Sequence, residues 1–131
     1  MNHKDMDVWK QAMRLVEDVY KLTACFPKEE TYGIRAQMRR AAVSVPSNIS
    51  EGAGRSSPRE LTNFLNIALG SLAELETQLL ISERLGYCEP GSVLDRLGRV
   101  KLLIVGTKRS LSGSGLRKAG GADLTPNDPN A

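Results

Sequence analysis

Apolar residues between Asp5 and Phe26 fall at Val8, Ala12, Leu15, Val19, Leu22 and Phe26. Alternating steps of four and three return to one side of an α-helix, which predicts a helix with a buried seam. A second row, Trp9, Met13, Val16 and Tyr20, widens that face. Phe26-Pro27 closes it, because proline disfavours helical geometry in the residue before it. After Lys28–Glu30 the pattern resumes with Ile34, Met38, Ala41, Val45, Ile49 and Gly52, and Thr31 is the expected cap. Pro46 lies inside this second helix. It has no amide hydrogen and crowds the carbonyl of Ala42, at a cost of about 3 kcal/mol in a helix interior. The seam nevertheless continues to Gly52, so a kink is expected rather than a stop. Ser47, Asn48 and Ser50 can bond the backbone around it.

Ser57-Pro58-Arg59-Glu60 is the clearest start signal in the chain. Serine stands at the cap, proline at the first helical position where its missing amide costs nothing, and glutamate three residues after the cap. The helix it opens has Leu61, Leu65, Ala68, Leu72, Leu75 and Leu79 on its seam and runs to Gly86. Ile67, Leu69, Leu80 and Ile81 lie off that seam, so this helix predicts either a wide core stripe or contact with a second subunit. Glu89-Pro90-Gly91 makes a turn, and Ser92 is the expected cap of a last helix carrying Val93, Leu97, Val100, Ile104 and Leu111. Leu102 to Val105 is apolar on all sides. Beyond it the chain is rich in glycine, proline and polar residues. Too little apolar surface is available there to offset ordering entropy, so residues 1–112 are assigned to one folded domain and 113–131 to a disordered tail.

Four amphipathic helices of about 20 to 28 residues can bury four seams only around a common axis. Short loops make sequence neighbours antiparallel. The predicted fold is all-α, an antiparallel up-down-up-down four-helix bundle, left-handed with crossings of about 20°. Helices one and three are then diagonal, as are two and four. Cys25 and Cys88 fall at the same end of the bundle on diagonal helices, so two free thiols are expected rather than a disulfide.

Composition and charge then bound the function. The 131 residues are 40% apolar and 25% charged, with a net charge of +3. Positive charge is concentrated in two segments. Arg35, Arg39, Arg40, Arg55 and Arg59 stand against Glu51 alone in the second, and Arg96, Arg99, Lys101, Lys108 and Arg109 against Asp95 alone in the fourth. Guanidinium groups offer paired donors to phosphate oxygens, so these ten residues are the candidate nucleic-acid contacts. The competing reading is structural, with Arg39 or Arg40 paired to Glu74 or Glu76 of the third helix, in the same protomer or the next. Because few aromatics are present to stack on bases, any binding is expected to be electrostatic and sequence-tolerant. Ala41, Ala42, Ser44, Ser47 and Ser50 let another helix approach closely, within the bundle or from a second subunit.

His3 is the sole histidine. With it near the terminus, no histidine base and no metal cluster is available. Glu74 and Glu76 are two apart on a helix and point to different faces, and Gly52-Ala53-Gly54 lacks the rest of a phosphate loop. No enzyme, catalytic residue, metal or cofactor is expected. No apolar run approaches the roughly 20 residues of a membrane span and no signal peptide opens the chain, so a cytoplasmic protein without a membrane partner is expected.

Gln37, Arg39-Arg40-Ala41-Ala42, Ser44, Pro46, Asn48-Ile49 and Glu51-Gly52 form a dense cluster, followed by Phe64-Leu65, Ala68, Gly70-Ser71-Leu72 and Glu74-Leu75-Glu76. With Asp7-Val8-Trp9, Phe26-Pro27, Glu30 and Tyr32-Gly33, this pattern resembles the four-helix-bundle family that includes proteins encoded in intervening sequences of bacterial 23S ribosomal RNA genes. The likeness covers roughly residues 5 to 110; Ser50 replaces the more usual alanine. The family is similar in architecture to the accessory protein of diversity-generating retroelements, a basic pentameric bundle that binds nucleic acid and a reverse transcriptase. The resemblance therefore implies a non-enzymatic homopentamer, with RNA or DNA and a protein such as a reverse transcriptase as partners. The basic second and fourth segments and the resemblance together lead to electrostatic nucleic-acid binding as an accessory or scaffold protein; the alternative is a self-assembling protein-interaction module.

Overall fold

The computed structural model describes residues 2–118. Four helices hold most of them: α1 Asp7–Thr23, α2 Ile34–Ala53, α3 Pro58–Arg84 and α4 Gly91–Lys118, with single 3-10 turns at His3–Asp5 and Lys28–Glu30. Each helix packs on its sequence neighbour and α4 returns to α1, whereas α1 and α3, and α2 and α4, make no close backbone approach. The diagonal pairs are those expected.

Side-chain contacts fix the antiparallel sense. Arg39 near the start of α2 bonds Thr23 at the end of α1. Ser82 near the end of α3 donates to the Met38 sulfur near the start of α2. Gly52 at the end of α2 lies against Leu61 and Phe64 in the first turns of α3. The predicted seams form the core: Val8, Ala12, Leu15 and Val19 of α1, Met38, Ala41, Val45 and Ile49 of α2, Leu65, Ala68, Leu72, Leu75 and Leu79 of α3, and Val93, Leu97, Val100 and Ile104 of α4 are buried.

Several ends differ from expectation. Helix α1 stops at Thr23, and Phe26 follows in a tight turn where its amide bonds the Thr23 carbonyl at 3.1 Å. Phe26 still reaches the core, tilted against Tyr87 at 5.4 Å. Thr31 does not cap α2. Its residue is already in helical geometry, so its hydroxyl turns back to donate to the Lys28 carbonyl at 2.8 Å. The first-turn amide of Ile34 is met instead by Glu30 Oε1 at 3.3 Å. Ser92 is not a cap either: α4 starts at Gly91, and the Pro90 carbonyl accepts from Leu94 at 2.8 Å. Helix α4 also continues past Leu111 to Lys118, into the segment assigned to the tail. The rest of that tail, 119–131, lies outside the described residues.

The Ser57 signal is built as read. Ser57 Oγ accepts from the Glu60 amide at 3.1 Å, and Pro58 is the first helical residue. Helix α2 passes through a buried Pro46 without ending. Around it, Asn48 Nδ2 donates to the Ser44 carbonyl at 2.8 Å and Ser50 Oγ to the Ser47 carbonyl at 3.0 Å. Gly86 carries φ +77° after α3, a conformation that costs an L side chain, and lets the Tyr87 amide fold back to the Ser82 carbonyl. Cys25 and Cys88 are both free thiols at the Phe26–Tyr87 end of the bundle.

Against the expectation that no stretch suits a membrane, α3 is long and apolar enough by composition, with mean hydropathy 1.2 over its most apolar 18 residues. In this fold its seam lies in the core and Glu74 and Glu76 remain exposed. A core helix that also carries exposed Ile67, Leu80 and Ile81 reads this way.

Candidate nucleic-acid interface

Consecutive arginines on a helix diverge by about 100°, so Arg39 and Arg40 face different neighbours. Arg39 turns to α1. Its Nε donates to Thr23 Oγ1 at 2.9 Å, its NH2 to the Tyr20 carbonyl at 3.2 Å, and its guanidinium lies over the Tyr20 ring at 4.3 Å from the centroid. Thr23 is itself buried and bonded to the Val19 carbonyl at 2.7 Å, so the fork is held by a fixed partner. Within the chain Arg39 is therefore not paired with Glu74 or Glu76: antiparallel packing puts it level with the last turn of α1, on the side away from α3.

Arg40 is exposed on the ridge between two clefts. On its α3 side lie Gln37, Ala41, Ser44, Ser71 and Glu74. Arg40 and Glu74 share that groove, yet no ion pair joins them; Glu74 accepts from Gln78 Nε2 at 3.2 Å instead. The small residues here serve the bundle. Ser44 and Ser71 hydroxyls bond across the helix pair at 2.8 Å, and Ala41 and Ala42 are buried.

On the α1 side of Arg40 is an open cleft of about 720 Å³, in which Arg35, Arg39 and Arg40 meet Tyr20 and Tyr32. Ala36 and Val43 add apolar surface, and no carboxylate lines it. Among the described residues Arg35 and Arg40 have no ion-pair partner. Three of the ten candidate cations thus converge. Sequence reasoning missed the tyrosines. Tyr20 and Arg39 stand equally far from the Glu29-Glu30 turn, so an antiparallel hairpin brings them level; that symmetry was the available signal.

The remaining candidates are dispersed. Arg55 pairs with Glu51 one turn back at 3.5 Å and lies over Phe64 at 5.1 Å, while Arg59 is exposed in the first turn of α3. Arg96 is structural: its Nε meets Asp18 Oδ2 at 2.5 Å and its NH1 meets Gln11 Oε1 at 3.0 Å, which ties α4 to α1. Lys101 sits beside Glu76 in the α3–α4 groove. Arg99 and Arg109 are exposed and Lys108 is half-buried. Because α2 and α4 are diagonal, their cations occupy separate faces of one chain. Among the described residues no cluster of histidine, cysteine and carboxylate side chains has metal-binding geometry.

At the turn end the Tyr87 phenol meets the Glu30 carboxylate. Tyr87 Oη donates to Glu30 Oε2 at 2.9 Å, and that bond, then burial, raises the phenol above its ordinary range. Desolvation, then the nearby Glu83 charge, raises the Cys88 thiol.

Four helices packed around one aliphatic core, with Arg35, Arg39 and Arg40 lining a single groove, define an all-α four-helix bundle. Residues 4–103 match the family of 23S rRNA-intervening sequence proteins, and the chain belongs to that family. No curated protein matches the chain.

Proposed function

We propose that this protein is a non-enzymatic, cytoplasmic accessory or scaffold protein that binds RNA or DNA electrostatically as a homopentamer. The observation that supports this reading is the α1–α2 cleft, where among the described residues Arg35 and Arg40 have no ion-pair partner and no carboxylate lines the surface. Unneutralised guanidinium groups on an open surface are suited to phosphate oxygens. Arg59, Arg99, Lys101, Lys108 and Arg109 extend the positive surface, and repetition around a ring would join faces that one chain keeps apart. Arg39 contributes charge from a fixed position, while Arg55 and Arg96 are offset by Glu51 and Asp18 and contribute less.

An electrophoretic mobility assay over a salt series tests it. Binding to structured RNA or DNA at about 50 mM salt, weakening steeply toward 200 mM, is the expected result. Absence of any shift at the low salt sinks the reading. Arg35→Glu with Arg40→Glu is expected to abolish binding with the fold intact, and Arg99→Glu with Lys101→Glu measures the share of α4.

A second reading is favoured by a different observation: Ile67, Leu80, Ile81, Leu85 and Leu102 are large apolar side chains left exposed. They suit a module that assembles with itself and holds a protein partner, with nucleic acid irrelevant. Intact oligomers that bind no nucleic acid under any salt condition would select it.

A further inference from the structure

We infer that the α1–α2 cleft takes unpaired nucleotides, stacking a base against its tyrosine–arginine set, and so prefers single-stranded over duplex nucleic acid. This rests on the nucleic-acid reading above. Phosphate recognition alone asks for cations; this cleft has more. Tyr20 and Arg39 already form a stacked pair, with the guanidinium plane fixed by Thr23 Oγ1 and the Tyr20 carbonyl. A guanidinium plane locked in this way is a platform for a base, as an aromatic ring is. Tyr32, in the turn before α2, is 95% exposed and lines the same cleft. A phenol ring so fully in water gains contact area whenever a planar ligand covers it.

Arg35 and Arg40 flank these rings with no ion-pair partner among the described residues. Aromatic platforms interleaved with backbone-tracking cations define single-strand binding, because every base has a π-face to offer. The cleft volume, about 720 Å³, falls within the range that accepts a ligand of nucleotide size. A duplex keeps its bases stacked inside and presents phosphates only, so it meets the arginines and leaves the tyrosines unused. The strand preference therefore resides in Tyr32 and Tyr20, and affinity common to both forms resides in Arg35 and Arg40.

Fluorescence anisotropy with a labelled oligouridylate of about 15 nucleotides, set against a duplex with the same number of phosphates, tests this. The wild-type protein is expected to bind the single strand more tightly. Tyr32→Ala, at a position too exposed to disturb the core, is expected to lower single-strand affinity about 5- to 100-fold and leave duplex affinity unchanged. Tyr32→Phe is expected to retain the preference, since stacking does not need the hydroxyl. Equal affinity for both forms, or equal losses for both in Tyr32→Ala, overturns the inference while nucleic-acid binding stands. No binding to either form overturns the underlying reading as well. Full displacement of the strand by free uridine monophosphate at a concentration matched in phosphate reassigns the cleft to a free nucleotide and also overturns it.

Discussion

Arg39 and Arg40 are adjacent in sequence and differ in almost every physical respect. Arg39 spends two donors and its ring face on α1, so Arg39→Ala removes two hydrogen bonds and a cation–π contact. At partly exposed sites these sum to a loss of about 1–2 kcal/mol in chemical denaturation. Arg40→Ala is expected to change stability by less than about 0.5 kcal/mol, because the side chain is exposed and has no ion-pair partner among the described residues. The order is expected to reverse in nucleic-acid affinity measured at low salt, where the free guanidinium has more to give. The thiols diverge similarly. Cys88 is half-buried with its ionisation pushed above the ordinary range, while Cys25 is exposed. A raised value means less thiolate at any given pH below it, so at about pH 8 iodoacetamide is expected to modify Cys25 first. Cys88 labelling should continue to accelerate as the pH passes its ordinary value of 9.0. Peptide mass spectrometry over a short alkylation course reads both.

At the scale of the helices, the tightest joint is the end of α2 against the start of α3. A Cβ on Gly52 would lie 2.8 Å from Phe64 Cβ, 2.9 Å from Leu61 Cδ1 and 3.3 Å from Leu61 Cα. Only the Leu61 methyl can move away by a rotamer change. Gly52→Ala is therefore expected to destabilise the fold by about 1–3 kcal/mol in a urea titration, despite the better helix propensity of alanine. Four seams, their antiparallel neighbours and the continuous α2 were legible because burial imposes a period on sequence, and Pro46 did not break that period. Caps at Thr31 and Ser92 were misread because a hydroxyl serves whichever backbone group its own dihedrals bring near, and those dihedrals belong to turns. The tyrosine cleft was harder still. Tyr20 reads as a widened core row and Tyr32 as the residue just after an expected helix cap, and only the register between α1 and α2 places both beside Arg35 and Arg40.

For the molecule as a whole, the question is how two diagonal basic faces could act together. Leu102 is 73% exposed on α4, with Leu103 and Val105 beside it, and the fourth segment around them is cationic. Apolar side chains amid charge lose least when a second copy covers them, and that covering would also set the cations of successive protomers side by side. If the pentamer forms, light scattering should give about five times the chain mass of 14.3 kDa. Leu102→Glu puts a charge on that surface without touching the core, so its protomer is expected to keep wild-type thermal stability to within about 0.5 kcal/mol while the assembly shifts to smaller species. The salt dependence of nucleic-acid binding then separates the two scales. Each phosphate neutralised adds about 0.7 to 0.9 to the steepness with which log affinity falls against log salt, so a lone protomer using Arg35 and Arg40 gives a slope of about −1.4 to −1.8, and a ring gives a steeper one. A dissociated Leu102→Glu protein with an unchanged slope would mean that one protomer makes every phosphate contact, and a wild-type mass equal to one chain would remove the ring altogether.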